Sequence, residues 1–164
     1  MLKSPDRSCR RFAWDGHENW RLEVLRAVDT LSAKISSMAK SLHDFVSDAL
    51  MTVQEITPEE VEEIQARGGY TILDVREPNE YSEGHLVGAI NVPRGFLEVK
   101  ADLEHYKRDD RLADRSQHIV CYCGGGHRSA LAAKTLMEMG FDHVMSMQEG
   151  WTGWTNRGLP TTLD

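Results

Sequence analysis

The chain has 164 residues, 26 acidic and 19 basic, for a formal charge of −7, with 40% hydrophobic and 27% charged residues. That length holds one ordinary domain plus an appendage, and the composition is that of a globular protein rather than a disordered chain. The acidic balance argues against a nucleic-acid partner and against adsorption to anionic lipid, and no run approaches the ~20 apolar residues of a membrane span.

Residues 1–16 read as a flexible tail, polar and basic with scattered aromatics such as Phe12 and Trp14. No apolar segment follows Lys3, Arg7, Arg10 and Arg11, so no secretory signal is read and a cytoplasmic location is expected. From Asp15 the pattern changes. Val24, Val28, Leu31, Ile35, Met38, Leu42, Phe45 and Ala49 recur in alternating steps of four and three, a heptad seam. The spacing predicts one amphipathic helix over residues 17–51, about 50 Å long. Such a helix overhangs a domain of this size, whose radius of gyration is near 13 Å. A homodimer or bundle through residues 17–50 is therefore expected. The alternatives are a bent or split helix packed on its own domain, and a membrane-surface helix. Four basic against five acidic residues over 17–50 count against the last.

Residues 52–164 alternate strand and helix. Val53–Ile56 reads as a strand. Thr57-Pro58-Glu59-Glu60 starts a helix, with Thr as cap, Pro at the first turn and Glu three residues on. That helix runs to about Arg67. Tyr70–Val75 is a buried strand, Glu77-Pro78-Asn79 a turn, Ala89–Val92 a strand and 95–107 a helix. His118–Tyr122 is a strand, Ser129–Met139 a helix, His143–Met147 the last strand and 150–157 a short helix. Short strands alternating with helices imply a parallel sheet covered on both faces, with ligands at the carboxyl ends of its strands.

The segment HIVCYCGGGHRSALAAKTL carries the chemistry. A buried strand ends at Cys123, Gly124, Gly125 and Gly126 follow, and a helix starts near Arg128. Loop amides and the unpaired N–H groups of the helix's first turn converge on one spot, and the helix dipole adds positive potential there. Both favour a thiolate, the nucleophilic form of cysteine, and both would hold an anionic substrate. Glycine leaves the amides uncovered. Arg128 supplies a forked cation, His127 a titratable one, and Ser129 a hydroxyl at the helix start. Cys121 reads as a small apolar strand residue, since a bond to Cys123 two residues away has poor geometry. Cys9, in the tail, has no partner in sight.

This segment resembles the active-site loop of single-domain rhodaneses, Cys-x-x-Gly-x-Arg-Ser, on Cys123, Gly126, Arg128 and Ser129. Upstream, DVREPNEYSEGHLVGAINVP (residues 74–93) resembles a second element of that family. Gly140-Phe141, Glu149-Gly150-Trp151 and Gly158-Leu159-Pro160 resemble a third. The resemblance covers about residues 52–162. It implies a three-layer α/β/α rhodanese-like fold with a five-stranded parallel sheet, here preceded by the long N-terminal helix. It implies a sulfurtransferase that carries sulfane sulfur as a persulfide on Cys123, taking it from thiosulfate or a persulfide donor and passing it to cyanide, a thiol or a protein acceptor. Gly124, Gly125, Gly126, His127, Arg128 and Ser129 would bind the substrate, and Asp74 and Arg76 would brace the loop and the segment around Glu80 and His85. No metal or organic cofactor is implied. Two alternatives stand beside it. One is a low-turnover sulfur-relay or sensing module serving a partner protein. The other is a phosphatase- or arsenate-reductase-like activity, which the loop disfavours because four residues, not five, separate Cys123 from Arg128. Positions 124 and 125 are Gly where some members place basic residues for sulfonate, so modest affinity for thiosulfate is expected.

Overall fold

A computed structural model describes residues 19–164. The expected tail over 1–16 and the first residues of the expected helix lie outside the described residues. The chain divides into two units, Met1–Lys40 and Ser41–Asp164.

The expected continuous helix is instead two helices, α1 (Asn19–Met38) and α2 (Leu42–Leu50). The seam runs across a start signal that its periodicity hides. Ser41 accepts the Asp44 N–H at 3.2 Å, and the Asp44 carboxylate accepts the Ser41 N–H at 2.8 Å. This reciprocal pair is a capping box, and it begins a new helix where a continuous one would have to pass. At 20 residues α1 is about 30 Å long, and it leaves Val24, Leu25, Val28 and Leu31 about half exposed. α2 divides the stripe further. Its Val46 and Ala49 are buried against Ala130, while Leu42 and Phe45 stay exposed.

The second unit is the α/β domain. Its strands are β1 (Gln54–Ile56), β2 (Tyr70–Asp74), β3 (His85–Leu86), β4 (Ile90–Asn91), β5 (His118–Tyr122), β6 (His143–Met147) and β7 (Thr161–Thr162). Its further helices are α3 (Pro58–Arg67), α4 (Pro78–Ser82), α5 (Leu97–Ala101), α6 (His127–Glu138) and α7 (Gly150–Asn156). The central sheet is parallel throughout, in the order β1-β6-β5-β2-β4. Both faces are covered, so the inner strands read as apolar runs rather than as alternations. Ile119, Cys121 and Cys123 enter one core layer with Leu73, Val75, Leu97 and residues of α6. Val120 and Tyr122 enter the other, with Ile72, Val61 of α3 and Trp154 of α7.

Three local differences from expectation have physical causes. The helix expected over 95–107 shrinks to α5, preceded by a 3₁₀ turn at Arg94–Phe96. Asp102 is extended, and its carboxylate accepts the Glu104 N–H at 2.9 Å, so a side chain takes the role of the next helical carbonyl. The turn at 77–79 is the start of α4, where Pro78 sits at the first position and Glu80 bonds back to the Glu77 N–H. A second, two-stranded sheet pairs β3 antiparallel with β7, so His143–Met147 is not the last strand. Two residues per strand are too few to show a period. Among the described residues no helix is long and apolar enough to cross a membrane.

Candidate active site

Cys123 follows the carboxyl end of β5, the central strand of the sheet, and is 1% exposed. Gly126 takes a φ of +98°, a left-handed conformation that glycine adopts without strain, and caps α6. This turn brings the Gly126 N–H to 3.2 Å from Sγ of Cys123. The Cys123 thiol in turn donates to Ser129 Oγ at 3.6 Å. The Ser129 hydroxyl donates to Gly126 O at 2.8 Å, and Ser146 of β6 donates to Ser129 Oγ at 3.0 Å. Ser129 and Ser146 are fully buried, so both hydroxyls are held in one arrangement.

The loop is held from behind by the start of α7. The N–H groups of Trp151 and Thr152 donate to Cys123 O at 2.6 Å and Gly124 O at 3.0 Å. Gly150 packs directly on this backbone: a Cβ there would stand 2.2 Å from Cys123 O, and its φ is +53°. Gly150→Ala is therefore expected to displace the loop and to destabilise the domain. A thermal melt together with transfer turnover checks this, and a variant with unchanged Tm and rate would refute it.

Arg128 does not stand alone as a cation. Its two terminal nitrogens donate to the two carboxylate oxygens of Glu80 at 2.7 and 2.8 Å. That fork-to-fork pair holds the Glu80 carboxyl well below the usual carboxylate range, at about 2, and raises the pKa of the guanidinium. Gly124 lies against the pair, since a Cβ there would be 3.1 Å from Arg128 Nη2. Gly125 and His127 are exposed.

Asp74 and Arg76 form a buried pair, 0% and 2% exposed. The guanidinium donates twice to Asp74 Oδ2, from Nε at 2.9 Å and Nη2 at 2.6 Å, and Nη2 also donates to Gly84 O at 2.7 Å. Its carbon sits 4.5 Å from the Trp151 ring and 5.5 Å from that of Tyr122, within cation–π range. This one side chain thus ties together the end of β2, the residue before β3 and the start of α7. The Cys121 thiol faces the apolar layer, where burial pushes its pKa up. Both Cys121 and Cys123 are free thiols.

The nine residues singled out from the sequence therefore fall into four groups. Cys123, Gly126 and Ser129 meet at the sulfur. Gly124 and Arg128 meet at Glu80, while Gly125 and His127 face solvent. Asp74 and Arg76 pair with each other at the end of β2. Sequence reasoning left Glu80, Gly150 and Ser146 without a role. Gly150 had a signal in Glu149-Gly150-Trp151, Glu80 in its place within residues 74–93, and Ser146 none, being one hydroxyl in an apolar strand.

Fold and site together define a three-layer α/β/α protein with a cysteine loop between the central parallel strand and the helix after it. The chain belongs to the rhodanese-like domain family, whose profile matches residues 57–157. It is 36% identical over 96 residues to thiosulfate sulfurtransferase 16, chloroplastic, of Arabidopsis thaliana, covering 57% of this chain and 80% of that one. It is 30% identical over 112 residues to the putative sulfur carrier protein YrkF of Bacillus subtilis, covering 68% of this chain and 56% of that one. Among solved structures it is similar to a Rhodopseudomonas palustris protein of unknown function described as a possible tyrosine phosphatase. That match has a TM-score of 0.72 and 27% identity, over 76% of this chain and 96% of the other.

Proposed function

We propose that the protein is a sulfurtransferase that moves sulfane sulfur from thiosulfate or a persulfide donor to a thiophilic acceptor through a persulfide on Cys123. The observation that carries this reading is the amide of Gly126 aimed at Sγ of a cysteine on a glycine turn. The relative named thiosulfate sulfurtransferase supports it. The Cys123 thiolate attacks the outer sulfur of the donor. The donor's S–S bond breaks, its electron pair leaves with sulfite (or with the donor thiolate), and Cys123 holds the outer sulfur. An acceptor such as cyanide then attacks that sulfur, and the cysteine thiolate departs. Gly126 N–H serves the thiolate and the persulfide anion alike. Ser129 and Ser146 orient the sulfur, and Gly150 and Trp151 fix the loop's carbonyls so that its amides stay turned inward. Thiosulfate-to-cyanide transfer, read as thiocyanate, tests the reading. Its absence, with no sulfur adduct on intact protein, refutes it.

A second reading, a relay module with little turnover of its own, draws on the relative named a putative sulfur carrier. It expects the persulfide to form but to pass only to a partner protein. For assembly, we propose that α1 associates with a second copy. Val24, Leu25, Val28 and Leu31 are about half exposed on one helix, as a coiled-coil seam would leave them before pairing. The full chain is expected to sediment as a dimer or larger species at micromolar concentration, and a chain starting at Ser41 as a monomer. A monomeric full chain ends this proposal.

A further inference from the structure

We infer that Glu80 sets the donor preference of the Cys123 site. Its carboxylate cancels the charge of Arg128, so that singly charged sulfane donors are favoured over dianions such as thiosulfate. This preference presupposes the sulfurtransferase reading above.

Arg128 is the one arginine or lysine in the loop from Cys123 to Ser129. Both of its terminal nitrogens are turned to Glu80, at 2.7 and 2.8 Å. Glu80 is itself anchored, because its Oε2 accepts the Glu77 N–H at 3.1 Å. The guanidinium also interacts with Cys123, but Glu80 is its strongest partner, so an incoming anion meets an ion pair of no net charge rather than a bare guanidinium. The carboxyl, held at about 2, stays ionised across the neutral range. Among the described residues, two other arginines at the site's elements are already paired. Arg76 is buried on Asp74, and Arg157 is engaged by Glu59 and Glu149. Gly124 brings no charge. Its contact with Arg128 leaves no room for a larger residue unless the pair shifts, a Cβ there lying 3.1 Å from Nη2. His127 is the loop's other basic side chain, and it is exposed at the first position of α6. A second negative charge on the donor therefore finds no unpaired arginine or lysine in the loop and faces the Glu80 carboxylate paired with Arg128.

The test compares thiosulfate, a dianion, with ethanethiosulfonate, which delivers the same outer sulfur from a sulfonyl centre with one charge fewer. Wild type is expected to show the higher kcat/KM with ethanethiosulfonate. Glu80→Gln keeps the shape, removes the carboxylate charge and unmasks Arg128. It is expected to raise the thiosulfate-to-ethanethiosulfonate ratio of kcat/KM by about tenfold, the order for one charge–charge interaction near a protein surface. A parallel fall with both donors would show that Glu80 only positions Arg128, and would overturn the inference, as would an unchanged ratio. If Glu80→Gln does not fold, the salt dependence of wild type decides. Between about 20 and 200 mM salt, kcat/KM for thiosulfate is expected to hold or rise, and a steep fall would reveal an unmasked cation and overturn the inference. No sulfur adduct on wild type from either donor would overturn the sulfurtransferase reading itself, and the donor preference with it.

Discussion

Cys123→Ser is expected to lower thiosulfate-to-cyanide transfer by about a thousandfold or more, the order seen when a covalent nucleophile is removed. It is also expected to abolish the gain of about 32 Da that intact protein shows after exposure to a sulfane donor. The serine hydroxyl is close in size to the thiol, so the turn that presents the Gly126 N–H and the bond to Ser129 have a reason to survive. The melting temperature should then change little, and the loss reads as chemistry rather than unfolding. Cys121→Ser is the control. Its thiol lies in the apolar layer, where burial holds it in the neutral form, so this variant is expected to keep both the adduct and the rate while losing stability. Retention of the adduct in Cys123→Ser would place the sulfur on Cys121 or Cys9, which peptide mapping distinguishes, and its loss in Cys121→Ser would give Cys121 a part in carrying it.

Asp74→Ala is expected to be the most destabilising single change in the domain, by about 3–5 kcal/mol, because it leaves the buried Arg76 charge without its partner. For a domain of this size that is a fall in Tm of about 10–20 °C. The Gly84 carbonyl and the Trp151 and Tyr122 rings remain around the guanidinium, but none of them carries the opposite charge. The paired variant Asp74→Leu with Arg76→Met removes both charges and is expected to recover part of the loss, as apolar replacements of buried ion pairs commonly do. Calorimetry of the single and paired variants checks both statements. A single variant as stable as wild type would mean that water reaches the pair.

The frame of the fold was legible because its strands and helices announce themselves locally. β5 and β6 have the bounds read from HIVCY and HVMSM, and α3 follows the Thr57-Pro58-Glu59-Glu60 start signal. The α1–α2 break was not legible, because a heptad count weighs apolar spacing alone and Ser41 and Asp44 fall between seam positions. The small β3–β7 sheet was hidden for another reason: it is made by pairing between distant segments and has no periodicity of its own. At the site, Cys123 and its glycines follow from strand-turn-helix physics. The Glu80 fork and the Ser146 hydroxyl depend on which side chains the sheet order brings together, and spacing along one chain does not report that.

The grip of Gly150, Trp151 and Thr152 on the carbonyls of Cys123 and Gly124 has a consequence for biosynthesis. Cys123 precedes Gly150 in the chain, so the thiol is made before the segment that fixes its loop carbonyls. Until α7 docks, the nascent cysteine is an ordinary reduced side chain on an unfinished sheet, open to oxidants and unable to discriminate among them. Competence therefore arrives with the step in which α7 docks on the loop carbonyls.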